Sequence, residues 1–139
     1  MKLTVWNRLC AALGVMLSAI SSLFGGFDGA LLTLTLFMCT DFLLGLLVAA
    51  VFSNSNKTES GKLSSSACFR GLCRKFAVFA AVLIGARLDT LTSQNYIRDA
   101  VIYCYLVNEG LSITENMVLM GVPVPEAVKN ALDILKGRK

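Results

Sequence analysis

The chain reads as an all-α membrane helical bundle of four transmembrane helices followed by a short C-terminal amphipathic helix, and three observations predict it. Residues 30–52, ALLTLTLFMCTDFLLGLLVAAVF, run for 23 residues without Lys or Arg and with one ionisable side chain, Asp41. A helix of that length rises about 34 Å, enough to cross a hydrocarbon core of about 30 Å. The 139 residues are 55% hydrophobic and only 16% charged, with a mean hydropathy of +0.67, too apolar for an ordinary soluble domain. The positive charge is also concentrated: residues 53–75 carry Lys57, Lys62, Arg70, Arg74 and Lys75 against Glu59, a balance of +4 that equals the net charge of the whole chain.

The first segment, MKLTVWNRLCAALGVMLSAISSLF, pairs a basic start with an apolar run, as cleavable signal peptides also do. Only GGFDG separates it from the next apolar stretch, so a retained first span over residues 9–27 is the simpler expectation. After the second span, 30–52, the Ser-rich SNSNKTESGKLSSS and the basic FRGLCRK form a connection over 53–75. FAVFAAVLIGARLDTLTSQNYI gives a third expected span, 76–96, interrupted late by Arg87 and Asp89. A fourth, 97–120, is the most polar and is stopped by Pro123 and Pro125. In the tail, 125–139, Val128, Ala131, Leu132 and Leu135 share one face of a short helix that rests on the membrane or caps the bundle. Residues 1–139 are thus expected to form a single integral membrane domain.

The basic connection is short enough for the positive-inside rule, which assigns it to the cytoplasm. With four crossings both termini join it there, together with Lys2, Arg8, Lys129, Lys136, Arg138 and Lys139, while Asp28 and Asp89 fall on the outer side. The first and fourth segments have an alternative placement as amphipathic helices in the interface.

Several function classes are disfavoured by composition. The charge is small and lacks the aromatic interleaving of nucleic-acid binders. There is no histidine, and Cys68 and Cys73 stand without a second cysteine pair, so no metal site or other cofactor is expected. Cys10, Cys39 and Cys104 lie in apolar surroundings and are expected to be buried free thiols. No Gly-rich phosphate loop and no nucleophile with a recognisable base is present, so no catalytic residue and no enzyme activity are expected.

The informative residues are those that pack or polarise helices. Helices in lipid lack a hydrophobic drive to associate, so small residues at spacing four mark close approach. Gly14, Ser18 and Ser22 form one such ladder, Gly45 and Ala49 a second, and Ala77, Ala81 and Gly85 a third. At about 100° per residue, Arg98, Glu109 and Asn116 fall within about 20° of one another, and Asn108, Ser112 and Glu115 widen the polar arc to roughly 120°. That arc suits a helix bundle, water or an assembled lumen, or else the headgroups if the helix is interfacial. Asp41 shares its face with Phe37, Gly45 and Val48, and an isolated charge at that depth costs at least about 2.5–3.5 kcal/mol. Arg87 is its candidate partner.

The Asp41-Phe-Leu-Leu-Gly45 core, the FRGLCRK segment, Leu88-Asp89-Thr90 and above all YLVNEGLSITENMVLMGVPVPEAVKNAL resemble the toxin secretion and phage lysis holin family, from about Gly26 onward. The resemblance implies a small phage-encoded protein in the host bacterial cytoplasmic membrane. Such a protein accumulates in the lipid bilayer and forms homo-oligomeric lesions through which an endolysin reaches the wall, without implied direct contact. Some relatives are associated with release of large toxins. In that setting Arg98, Asn108, Glu109, Ser112 and Asn116 are expected to line or stabilise the assembled state, and Asp41 to influence its trigger. The alternatives are an antiholin regulating a partner holin and a small ion channel or transporter subunit.

Overall fold

The computed structural model describes residues 2–135 and consists of α1 (Lys2–Leu23), α2 (Gly29–Ala50), α3 (Ser65–Thr92), α4 (Ile97–Leu119) and α5 (Glu126–Leu135). Among the described residues there is no strand. Each boundary has a local cause. Gly25 and Gly26, at φ +77° and +103°, turn the chain after α1, and Asp28 caps α2 by accepting a hydrogen bond from Leu31 N at 2.9 Å. Ser93 ends α3 in the left-handed region at φ +54°. Asp89 then reaches across the connection and accepts from Ile97 N at 3.0 Å and Arg98 N at 2.9 Å, covering the first amides of α4. Gly121, at φ +77°, follows α4, and α5 starts directly after Pro125.

Helix α4 packs most extensively on α2 and next on α3. Contacts at both ends show that α2 and α4 run in the same direction, because Asp28 meets Arg98 at one end and Asn54 Nδ2 donates to Leu119 O at 3.1 Å at the other. α3 runs antiparallel to both and packs mainly on α4. Leu31, Leu34 and Met38 of α2, Val78 and Val82 of α3 and Ile102 of α4 form the apolar core. The third ladder contributes through Gly85, where an added Cβ would lie 3.0 Å from Arg98 Cα. α3 and α4 therefore touch backbone to backbone at this level.

Arg98 locks the same end. Its Nε donates to Phe24 O at 2.6 Å, Nη2 to Gly26 O at 3.0 Å and Asp28 Oδ1 at 3.1 Å, and Nη1 to Asp28 Oδ2 at 2.7 Å and Asp99 Oδ1 at 3.0 Å. All five guanidinium donors are used, which is how a side chain only 7% exposed carries its charge. The Arg98 hydrogen bonds, followed by the amide of Leu31, hold the Asp28 carboxyl at about 2, below its ordinary 3.8.

Three expectations are corrected here. Among the described residues two helices, not four, are long and apolar enough by composition alone to count as membrane spans: Thr4–Leu23 and Gly29–Ala50. α3 and α4 are long enough, but Arg70, Arg74 and Lys75 in one and Arg98, Asp99, Glu109 and Glu115 in the other lower their hydropathy. The connection after α2 is also shorter than 53–75, because FRGLCRK lies inside α3 and Lys75 is a helix residue. The cysteines are free but not buried: Cys10, Cys39, Cys73 and Cys104 are exposed and Cys68 is half-buried. In a bundle of three long helices only one stripe of each helix faces inward, and these thiols fall outside it.

α1 stands apart. From Thr4 to Leu23 no residue is buried, and it meets the other helices only near its end, where Phe24 and Phe79 stack edge to face at 6.2 Å and Arg87 Nη2 donates to Ser22 O at 3.4 Å. Gly14, Ser18 and Ser22 lie along an open groove on this helix. α5 follows the expected tail within 126–135, with Val128 partly exposed, whereas the side chains of Ala131, Leu132 and Leu135 and residues 136–139 lie outside the described residues.

Two outcomes follow. Gly85→Val is expected to lower the thermal unfolding midpoint of the detergent-solubilised chain, at a cost of about 1–3 kcal/mol, because the α3–α4 contact has no room for it. Gly14→Ala, with nothing within 4 Å, is expected to keep or raise that midpoint, and equal losses at the two sites would contradict the packing. In acid, the stabilising contribution of Asp28 is complete above 3.8 and disappears as pH falls from there through about 2, since its carboxyl is held lower in the folded chain. Thermal melts across that window are expected to show a loss that Asp28→Asn flattens.

Candidate functional site

Halfway along α2, a polar cluster interrupts the apolar core. Asp41 lies about 18 Å from the Gly29 end and about 14 Å from the Ala50 end at 1.5 Å per residue. Its partner is Lys75 of α3, whose Nζ is 2.6 Å from Asp41 Oδ2 and also binds Glu109 Oε2 of α4. Asn116, one further stretch down α4, donates through Nδ2 to Asp41 Oδ1 at 2.9 Å and to Asp41 O at 3.3 Å. The carboxylate of Asp41 thus binds a cation with one oxygen and an amide with the other.

Burial makes this arrangement consequential. Side-chain exposure is 6% for Asp41, 5% for Glu109 and 14% for Lys75. With all three ionised the group carries one ammonium and two carboxylates, one negative charge in excess. Removing the Lys75 ammonium would cost about 3–5 kcal/mol, because two buried carboxylates would be left uncompensated. Among the described residues, every fully buried side-chain nitrogen and oxygen has a hydrogen-bond partner. The cluster therefore holds α2, α3 and α4 in one register.

Beside it opens a polar cleft of about 740 Å3. Asn108, Glu109, Ser112 and Glu115 of α4 form one wall, Arg70, Arg74 and Lys75 of α3 the other, and Asn56 and Lys57 of the connection lie at its mouth. The expected polar arc of α4 is thus divided three ways. Arg98 secures the far end of the bundle, Glu109 and Asn116 turn into the cluster, and Asn108 and Ser112 face the cleft.

The expected pairing of Asp41 with Arg87 does not occur. Arg87 is exposed near the opposite end of α3 and reaches the backbone of Ser22 instead. Lys75 was hidden from sequence reading because it closes a run of basic residues that looks like a loop. A helical reading of FRGLCRK supplies the missing signal: at about 100° per residue Lys75 lies about 100° from Arg74 and 140° from Arg70, on the side of Gly71 and Val78. Gly45 and Ala49 serve the same region, since a Cβ on Gly45 would come within 3.7 Å of Lys57 Nζ and 3.8 Å of Asn116 Nδ2. Ala81 is half-buried and Ala77 is exposed at the cleft. Among the described residues, no group of His, Cys, Asp and Glu could hold a metal ion.

Comparison with known proteins bears on what such a bundle is for. A protein of Listeria monocytogenes is 38% identical over 117 residues, covering 84% of this chain and 78% of its own length. The 14.9 kDa protein of the nagH 3′ region of Clostridium perfringens is 34% identical over 119 residues, 84% of each chain. A protein of Bacillus phage phi105 that bears the name "Probable holin" is 33% identical over 76 residues, 54% of this chain and 56% of its own. No solved structure matches. The model of the bacteriophage holin family matches residues 18–137, from the end of α1 through the polar cluster to the tail, and the chain belongs to that family.

Proposed function

We propose that this protein acts as a holin by accumulating in the cytoplasmic membrane of a bacterial host and assembling into homo-oligomeric lesions that release an endolysin. The observation that carries this reading is the Asp41–Lys75–Glu109–Asn116 cluster, a charged group enclosed by helices whose outer surface is apolar. In the closed chain these polar groups satisfy one another, so the bundle can sit among lipids. α1 and α2 cross by their own apolarity, and α3 and α4 accompany α2 because they are packed along it with Lys75, Arg98, Glu109 and Asn116 turned inward. This multi-pass arrangement puts the connection after α2 and both termini in the cytoplasm.

Assembly offers the cluster a second environment. When copies associate, the α3–α4 wall with Asn108 and Ser112 turns toward a shared aqueous lumen, and Glu109, Asn116 and Asp41 gain water. The excess negative charge favours that hydrated state and opposes the closed one. Arg98 acts differently, as a structural lock at the other end. The open small-residue face of α1, with Gly14, Ser18 and Ser22, supplies a surface for close approach of another copy. The reading needs no catalytic residue, and toxin release would use the same lesion as endolysin release.

The test is induced expression with and without a cytoplasmic endolysin, following dye entry and optical density. Abrupt lysis that requires the endolysin is expected. Steady, non-lethal conductance would favour a channel subunit, and a delay imposed on an active partner without depolarisation would favour an antiholin. Asp41→Asn leaves Lys75 paired with Glu109 and takes the second carboxylate out of the cluster, which on this reading weakens the drive toward the hydrated state. Lysis at matched expression is expected later than in the unaltered protein, and an unchanged onset would remove Asp41 from the trigger.

A further inference from the structure

We infer that the cleft between α3 and α4 is a binding site for the phosphate headgroup of an anionic phospholipid of the inner leaflet. The inference rests on the membrane placement proposed above and adds a ligand to it. Arg70 and Arg74 stand one helical turn apart on α3, both exposed, both on the cleft, and Lys57 of the connection joins them at its mouth. Among the described residues neither arginine belongs to an ion pair. Deeper in the cleft Lys75 is already occupied by Asp41 and Glu109. Arg70 donates to Ser66 Oγ at 3.4 Å, and the cationic groups outside the cluster lie toward the mouth of a cleft that Glu115 also lines.

Depth and neighbouring surface indicate a lipid as the occupant. Gly71, between Arg70 and Arg74, packs on Phe42, so both arginines lie in the Ala50-side half of the bundle, from which their long side chains reach up to the headgroup layer. Phe69, Leu72 and Phe76 form an exposed apolar stripe on the outer side of the same turns, at 67%, 57% and 77% exposure. A soluble anion has no use for that stripe, whereas a phospholipid covers it with acyl chain while its phosphate meets the guanidinium pair. Below the arginines the cleft is lined by Ala77, Val78 and Tyr105, a more apolar stretch than its mouth. Arginine is also the side chain best suited to paired hydrogen bonds with phosphate oxygens. Basic pockets between membrane helices on the cytoplasmic side have this chemistry in general.

The experiment uses the full chain purified in neutral detergent and titrated with short-chain phosphatidylglycerol or phosphatidylcholine, with thermal unfolding as the readout. Phosphatidylglycerol is expected to raise the midpoint at lower concentration than phosphatidylcholine. The Arg70→Gln, Arg74→Gln double variant is expected to weaken apparent phosphatidylglycerol affinity about 25-fold, roughly fivefold for each charge removed, with helix content unchanged. Arg87→Gln, at the far end of α3, is expected to retain the preference, and inorganic phosphate is expected neither to stabilise the chain nor to compete. Equal response to the two lipids, a preference that survives the double variant, or competition by inorganic phosphate would each overturn the lipid site. Lysis does not enter this readout, so failure of the lipid site and failure of the holin reading are separable.

Discussion

A single ammonium group, that of Lys75, lies between two carboxylates on two other helices, and the arrangement of α2, α3 and α4 follows from keeping it there. Helices that meet only through aliphatic side chains can slide or rotate at small cost, since lipid tails are as apolar as leucine. A buried ion pair does not permit this. Moving α3 by one residue would take Nζ away from Asp41 and Glu109 and leave charges unpaired in the core. The Asn116 amide restrains the other oxygen of Asp41, and at the opposite end the five-fold coordination of Arg98 ties α4 to the α1–α2 turn. Two polar locks bracket an apolar core of Leu31, Leu34, Met38, Val78, Val82 and Ile102.

The locks differ in electrostatic balance, and that difference suggests a division of labour. Arg98 meets Asp28 and Asp99 at the helix ends, where the carboxylates are about half exposed and water compensates the surplus. Lys75 meets two carboxylates that are almost completely enclosed. One end is built to stay shut. The other sets one ammonium and two carboxylates beside an open polar cleft, the feature on which the proposed second, wetter state rests. α1, in which no residue from Thr4 to Leu23 is buried, is free to meet lipid without disturbing either lock.

Much of this was legible in the residues. The five helices follow from apolar runs broken by Gly, Ser and Pro clusters, and α2 stands within a residue or two of the stretch 30–52. Arg98, Glu109 and Asn116 were placed on one face by periodicity, and all three are buried. What periodicity could not supply was the partner on another helix. The charges of FRGLCRK outweigh its apolar residues in any local reading, which points Lys75 to a loop, and Arg87 looks the better partner for Asp41 because it lies within an apolar run. Depth settles the matter, and depth is a property of helix register rather than of sequence. The same limit explains the count of spans, since charges satisfied in pairs between helices lower the hydropathy of each helix taken alone.

The most direct measurement is the environment of the Lys75 ammonium in the full chain embedded in a lipid bilayer, by dipolar recoupling between lysine Nζ and side-chain carboxyl carbons in magic-angle-spinning NMR. A lysine signal coupled to both an aspartate and a glutamate carboxyl, and lost in Lys75→Arg, is the expected result. A Lys75 ammonium coupled to neither carboxyl would contradict the central role of this cluster and with it the closed bundle described above.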